Sequence, residues 1–166
     1  MRNADFKVGQ DVFYPAAGVG VIEAIEELVF GTRCESFYVI QIPSNRVTIR
    51  VPRDKAVANG LRPLLACRDV KALLRLLGEE SSERPTGHWA DHYRDLERRV
   101  QSGRCFEVGA AVRDLVRVKA AHGLSFEESR LLEVAFGYLA GEVAAVERID
   151  VDAARQVIRS AIISDP

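Results

Sequence analysis

The apolar residues of this chain change their spacing once, near Pro63, and that change limits the fold more than any other feature. Before it, short runs alternate in and out. VFYP at 12–15 is closed by proline, AAGVGVIEAIEEL follows, and then come SFYVIQI at 36–42 and RVTIRVP at 46–52. Phe37, Val39 and Gln41 alternate with Tyr38, Ile40 and Ile42, and β-branched and aromatic residues dominate, as a half-buried sheet requires. Ser44-Asn45 is tight-turn chemistry, so 35–52 reads as a hairpin. With glycines where a small sheet has to bend, the first third predicts a curled five-stranded barrel of SH3 or Tudor size.

After Pro63 the apolar residues recur at three and four. Val70, Leu73, Leu74 and Leu77 predict a helix in DVKALLRLLGEE, with Asp69 available as its cap. Residues 78–87, GEESSERPTG, read as a loop. Helices are expected over roughly 88–102, 105–121 and 125–146, with Gly103 and Gly123 as stops and Ser125 followed by Glu128 as a capping box. A short helix near 150–162 closes the series. The expected architecture is α+β: an N-terminal SH3/Tudor-like β-barrel over 1–68, then an all-helical domain over 69–166.

Charge restricts the partners. The chain of 166 residues carries a net charge of −1, whereas a protein gripping DNA mainly by phosphate neutralisation is clearly basic. Residues 1–68 hold nine Lys/Arg against seven Asp/Glu, and 69–166 hold 14 against 17. Only 89–119 is locally cationic, with seven basic residues against five acidic ones. Cys34, Cys67 and Cys105 are far apart, which argues against a disulfide framework and a zinc site. MRNADFKVGQ lacks an apolar signal core and no apolar run approaches the ~18 residues of a membrane span, so a cytoplasmic, non-membrane protein is expected.

Motifs for catalysis are missing. The chain has no GxxxxGK[ST], no GxGxxG opening a helix and no GxSxG elbow, and its serines, cysteines and His122 form no recognisable triad. His88 and His92 share a helix face with Asp91 close by, but the further ligand and general base of a zincin are lacking, so no metal is assigned. Neither a cofactor nor a small-molecule substrate is expected, and the chain reads as a non-enzyme.

Two features point to binding instead. Trp89, the single tryptophan, stands where a polar loop meets a predicted helix. It is either a core anchor or an exposed apolar wedge for a DNA groove or a gap between unstacked bases, with Arg94, Arg98 and Arg99 following to meet phosphates. In RVTIRVP, Arg46, Thr48 and Arg50 share one face and Val47, Ile49 and Val51 the other. At a sheet edge this strand would offer free backbone groups to a partner's strand and Arg50 to a carboxylate; in a closed barrel it would be an ordinary strand.

These residues resemble a known group. FKVGQDVFYPAAGVGVIEAIE, SFYVIQI, RVTIRVP and NGLRPL are similar to the RNA-polymerase-interacting module of the CarD/CdnL family of bacterial transcription regulators, a module with relatives in transcription–repair coupling factors. PTGHWADHYRDLERRVQSG and FEVGAAVRDLVRVKAAHGLSFEESRLLEVAFGYLAGEVA resemble the helical domain of that family. The similarity runs over about 5–148. It implies that the β module binds the RNA polymerase β subunit through its edge strand, with Arg50, Val51 and Pro52 at the contact and Phe37 to Val39 nearby. It implies too that the helical domain meets promoter DNA weakly and without sequence specificity at the upstream edge of the melted bubble, with Trp89 as wedge and Arg94, Arg98 and Arg130 as DNA-facing cations.

The chain departs from the family where the family has basic residues. Asp91 and His92 stand at the second and third positions after the tryptophan, and Ser129 replaces one of an adjacent pair that Arg130 keeps. Exchanging a phosphate contact for a repulsive charge weakens binding by about 1–2 kcal/mol, less at high salt. Two readings follow: stabilisation of the open promoter complex, or a diverged adaptor on RNA polymerase with little or no DNA binding.

Overall fold

The structure, a computed structural model, describes residues 5–80 and 88–163. It divides into two compact units, Met1–Leu64 and Leu65–Pro166. The loop expected over 78–87 lies outside the described residues from 81 onward.

The first unit is an antiparallel five-stranded sheet: β1 (Asp11–Tyr14), β2 (Gly18–Phe30), β3 (Arg33–Ile42), β4 (Val47–Pro52) and β5 (Arg62–Pro63), in the spatial order β4-β3-β2-β1-β5. Alternation puts Ile22, Tyr38, Ile40, Ile42 and Val51 on one buried face, where Val12, Phe6, Ala56 and Leu61 complete the core. Phe6 packs edge-on against Tyr38 at 5.6 Å, and its backbone N–H donates to the Tyr38 hydroxyl at 3.2 Å. A register shift between Ile22 and Ala24 makes room for Glu23 and bends the long β2–β3 ribbon. Gly20 is held by crowding: a Cβ there would lie 2.6 Å from Ile40 Cγ2 and 2.9 Å from the Gln41 carbonyl oxygen.

Two details differ from expectation. Strand pairing stops at Ile42↔Val47, so the connection spans residues 43–46 rather than a two-residue turn. Pro43 has no N–H to continue the ladder, Arg46 turns left-handed (φ 57°), and Asn45 Oδ1 accepts the Val47 N–H at 3.2 Å. Arg46 therefore drops off the strand face that Thr48 and Arg50 share. Strand β5 and the single-turn helix α1 (Arg53–Ala56) had no signal in the periodicity because neither is long enough for its spacing to recur.

The second unit holds α2 (Cys67–Gly78), α3 (Trp89–Gln101), α4 (Cys105–His122), α5 (Phe126–Glu147) and α6 (Val151–Ile163). Leu73, Leu77, Leu96, Leu115, Leu139 and Ile158 are fully buried in its core. Helix α2 starts two residues before Asp69, at Cys67 after Ala66, with no side-chain cap; Asp69 lies in its first turn. Gly109 on α4 lets α2 approach closely, since a Cβ there would meet Leu73 Cδ1 at 2.8 Å. Ser125 and Glu128 form the expected capping box on α5. Inside the domain Glu142, 1% exposed, accepts the backbone N–H of Leu65 at 2.7 Å.

Candidate functional site

In the sheet, β4 is an edge strand, with β3 on one side and no strand on the other among the described residues. Arg50 stands exposed on it and donates from Nε to Glu26 Oε2 at 3.0 Å, reaching over the outer face of β3. The other residues expected at this contact behave differently. Val51 is 2% exposed and points into the core, and Val39 is 4% exposed, so neither side chain offers surface. Val51 can still offer a partner the free backbone edge of β4, as strand addition requires, whereas Val39 lies on β3 and is paired on both sides, to Ala24 and to Arg50. Pro52 and Phe37 are half-buried, paired across the two strands. Phe37 meets Phe30 edge-on at 6.3 Å, and Phe30 stands exposed at the tip of the β2–β3 ribbon.

In the helical unit, Trp89 is the first residue of α3 and is 53% exposed. It stacks on Tyr93 one turn later, with centroids 5.7 Å apart and planes 20° from parallel. Its indole Nε1 donates to Glu128 Oε1 at 3.1 Å, while Glu128 Oε2 accepts the Ser125 N–H. The ring is thus fixed at its polar edge and by stacking, with over half its surface open. Tyr93 and Glu128 had escaped the sequence reading as site residues, although the four-residue spacing from Trp89 to Tyr93 and the capping box were both visible. Burial pushes the Tyr93 phenol up, as do Glu97, Glu127 and Glu128, and Arg130 pulls the other way. The guanidinium of Arg130 sits 5.8 Å from the centroid of Phe126.

The arginines separate into two sets. Arg98 donates to Asp95 at 2.8 Å, Arg99 bridges Asp95 and Asp114, Arg113 pairs with Asp114, and Arg104 reaches Glu107. Arg113 and Arg117 also donate to the carbonyl oxygens of Leu76 and Gly78 at the end of α2. Most of the local positive surplus is spent inside the domain. Arg94 and Arg130 are exposed and make no ion pair among the described residues. No group of three or more His, Cys, Asp or Glu among the described residues is placed to hold a metal, so His88, Asp91 and His92 are not brought together as ligands. No helix among them is long and apolar enough to cross a membrane.

Comparison with known proteins agrees with both units. Residues 6–65 match the CarD-like/TRCF RID domain, and residues 72–159 match the CarD C-terminal domain. The chain is also similar to YdeB of Bacillus subtilis strain 168, a candidate transcription factor: the two are 28% identical over 144 residues, covering 87% of this chain and 94% of the relative.

Proposed function

Because this chain belongs to the CarD family, we propose that it regulates transcription by holding RNA polymerase with its β module and steadying opened promoter DNA with its helical domain. The partner of the β module is the polymerase β subunit, met at the β4 edge with Arg50 facing a carboxylate. The helical domain presents Trp89 to the upstream edge of the bubble, with Arg94 and Arg130 on phosphates. Arg98 has a weaker claim, since it must first leave Asp95.

One observation carries this reading: the indole is open to solvent yet held in place, by Tyr93 on its face and Glu128 at its N–H. A ring ordered in advance loses little rotamer entropy on insertion. With 14 basic against 17 acidic residues over 69–166, the domain cannot rely on phosphates. Tethering supplies what charge does not, because anchoring on polymerase raises the effective concentration of a weak DNA contact. A wedge that fits only bent or unstacked DNA binds the open complex better than the closed one, and only such a difference shifts the equilibrium. A gain of about 1.4 kcal/mol gives tenfold more open complex.

The test is transcription from a weak promoter with wild type, Trp89→Ala and Arg50→Glu. Arg50→Glu should lose polymerase association; Trp89→Ala should keep it and lose the effect on transcription. Equal activity of all three would defeat the proposal. The internally paired arginines, Asp91 and Ser129 favour a second reading, an adaptor whose helical domain recruits a protein. A footprint on upstream-fork DNA that the protein leaves unchanged in the presence of polymerase would decide for the adaptor.

A further inference from the structure

Helices α3 and α5 open alike. The first residue of α3 is Trp89 and the first of α5 is Phe126, and each ring is answered one turn later, by Tyr93 and by Arg130. Phe126 is 74% exposed, the most open large apolar side chain among the described residues. It has no part in the core, and it is not the staple that often steadies a helix start, which would pair Leu124 with the residue at 129, here a serine. Leu124 packs on the core instead. Glu128 joins the two helix starts: one carboxylate oxygen takes the Trp89 N–H and the other the Ser125 N–H, directly before Phe126. Arg130 bears on both Phe126 and Tyr93. Trp89, Tyr93, Arg130 and Phe126 thus belong to one surface of the helical unit.

We infer that Phe126, backed by Arg130, is a second stacking position beside Trp89, and that the ligand of this surface is the unpaired bases of single-stranded nucleic acid. The inference deepens the function proposed above and rests on it. Aromatic rings stack on any base, and an unpaired strand exposes the base faces that a duplex hides. Asp91, Glu127 and Glu128 stand among or beside these rings and disfavour a long run of phosphates. Arg94 and Arg130 are left for about two phosphate contacts. Binding therefore depends on stacking, and the plot of log affinity against log salt has a slope of only about −1.4 for two phosphates on a single strand.

The experiment measures anisotropy of a labelled oligothymidine, against the same strand in a duplex, with the full chain as wild type, Trp89→Ala, Phe126→Ala, Phe126→Leu and Phe126→Tyr. The sole tryptophan gives an independent signal, since a base stacked on it quenches its emission. Expected are preference for the single strand, a loss of about five- to a hundredfold in Phe126→Ala and Phe126→Leu, near-full retention in Phe126→Tyr, and quenching that persists in Phe126→Ala at saturation. Phe126→Ala and Phe126→Leu binding like wild type, with Trp89→Ala weakened, would overturn the second position and leave the Trp89 reading standing. Undiminished binding by every variant without quenching would sink both. Equal affinity for the duplex, or a salt slope several times steeper, would assign the contact to phosphates and overturn the inference. So would the absence of any oligonucleotide binding even at about millimolar strand, the effective concentration a tether supplies, in a protein that still acts on polymerase; that outcome would give the surface to a protein partner.

Discussion

Trp89 and Glu128, 39 residues apart, meet through a 3.1 Å hydrogen bond in which the indole N–H donates to a carboxylate already engaged in capping α5. Glu128 is 7% exposed, so the charge that holds the ring is itself sheltered. The exposed indole and the start of a core helix are therefore one mechanical unit.

Replacing Glu128 with alanine removes the indole acceptor and half of the capping box together. The expected loss is about 1–2 kcal/mol of stability, as for helix caps and modest hydrogen bonds. Emission from the lone tryptophan should shift to the red and its anisotropy should fall. Unchanged anisotropy in the variant would mean that Tyr93 alone holds the ring.

Arg50 and Glu26 are about half-exposed, and such ion pairs contribute at most about 1 kcal/mol. Arg50→Ala should therefore melt almost as wild type while losing polymerase association in a pull-down. A large fall in melting temperature would mark Arg50 as a structural residue.

Gly20→Ala places a methyl group against the side chains of Ile40 and Ile42 and the backbone oxygen of Gln41. The backbone contact cannot rotate away, so a cost of about 1–3 kcal/mol is expected. Faster amide exchange at Ile40 to Ile42 would report it, and exchange as slow as wild type would show that the sheet accommodates the methyl group.

The Asp95 carboxyl is held below the usual aspartate range chiefly by the hydrogen bond from Arg98, which outweighs the opposing effect of burial, and the charge of Arg99 adds to the lowering. Its depressed value in the folded state means that its contribution to stability is present at neutral pH. That contribution fades as pH falls through the folded value. In urea denaturation, Asp95→Asn should be less stable than wild type at pH 7, by under about 1 kcal/mol for so exposed a group, and the gap should close below about pH 4. A gap independent of pH would rule out the charge as its source.

Much of the helical half was legible in the chain. Helices expected at 88–102, 105–121 and 125–146 run over Trp89–Gln101, Cys105–His122 and Phe126–Glu147, because apolar spacing and local stop signals act within a few residues. Gly103 and Gly123 do adopt positive φ just beyond α3 and α4. The strands followed for the same reason, except β5, which exists only because Val12 and Phe13 provide a partner for residues 62 and 63.

By itself the sequence determined where segments repeat at two and where at three and four, and so the sheet, the helices and the capping box. The exposure of Trp89, its anchoring to Glu128, the inward-facing Val51 and the consumption of Arg98, Arg99 and Arg113 by Asp95 and Asp114 were decided only in the tertiary structure. Periodicity is set by neighbours along the chain, whereas burial and pairing depend on residues tens of positions away, which no local pattern records.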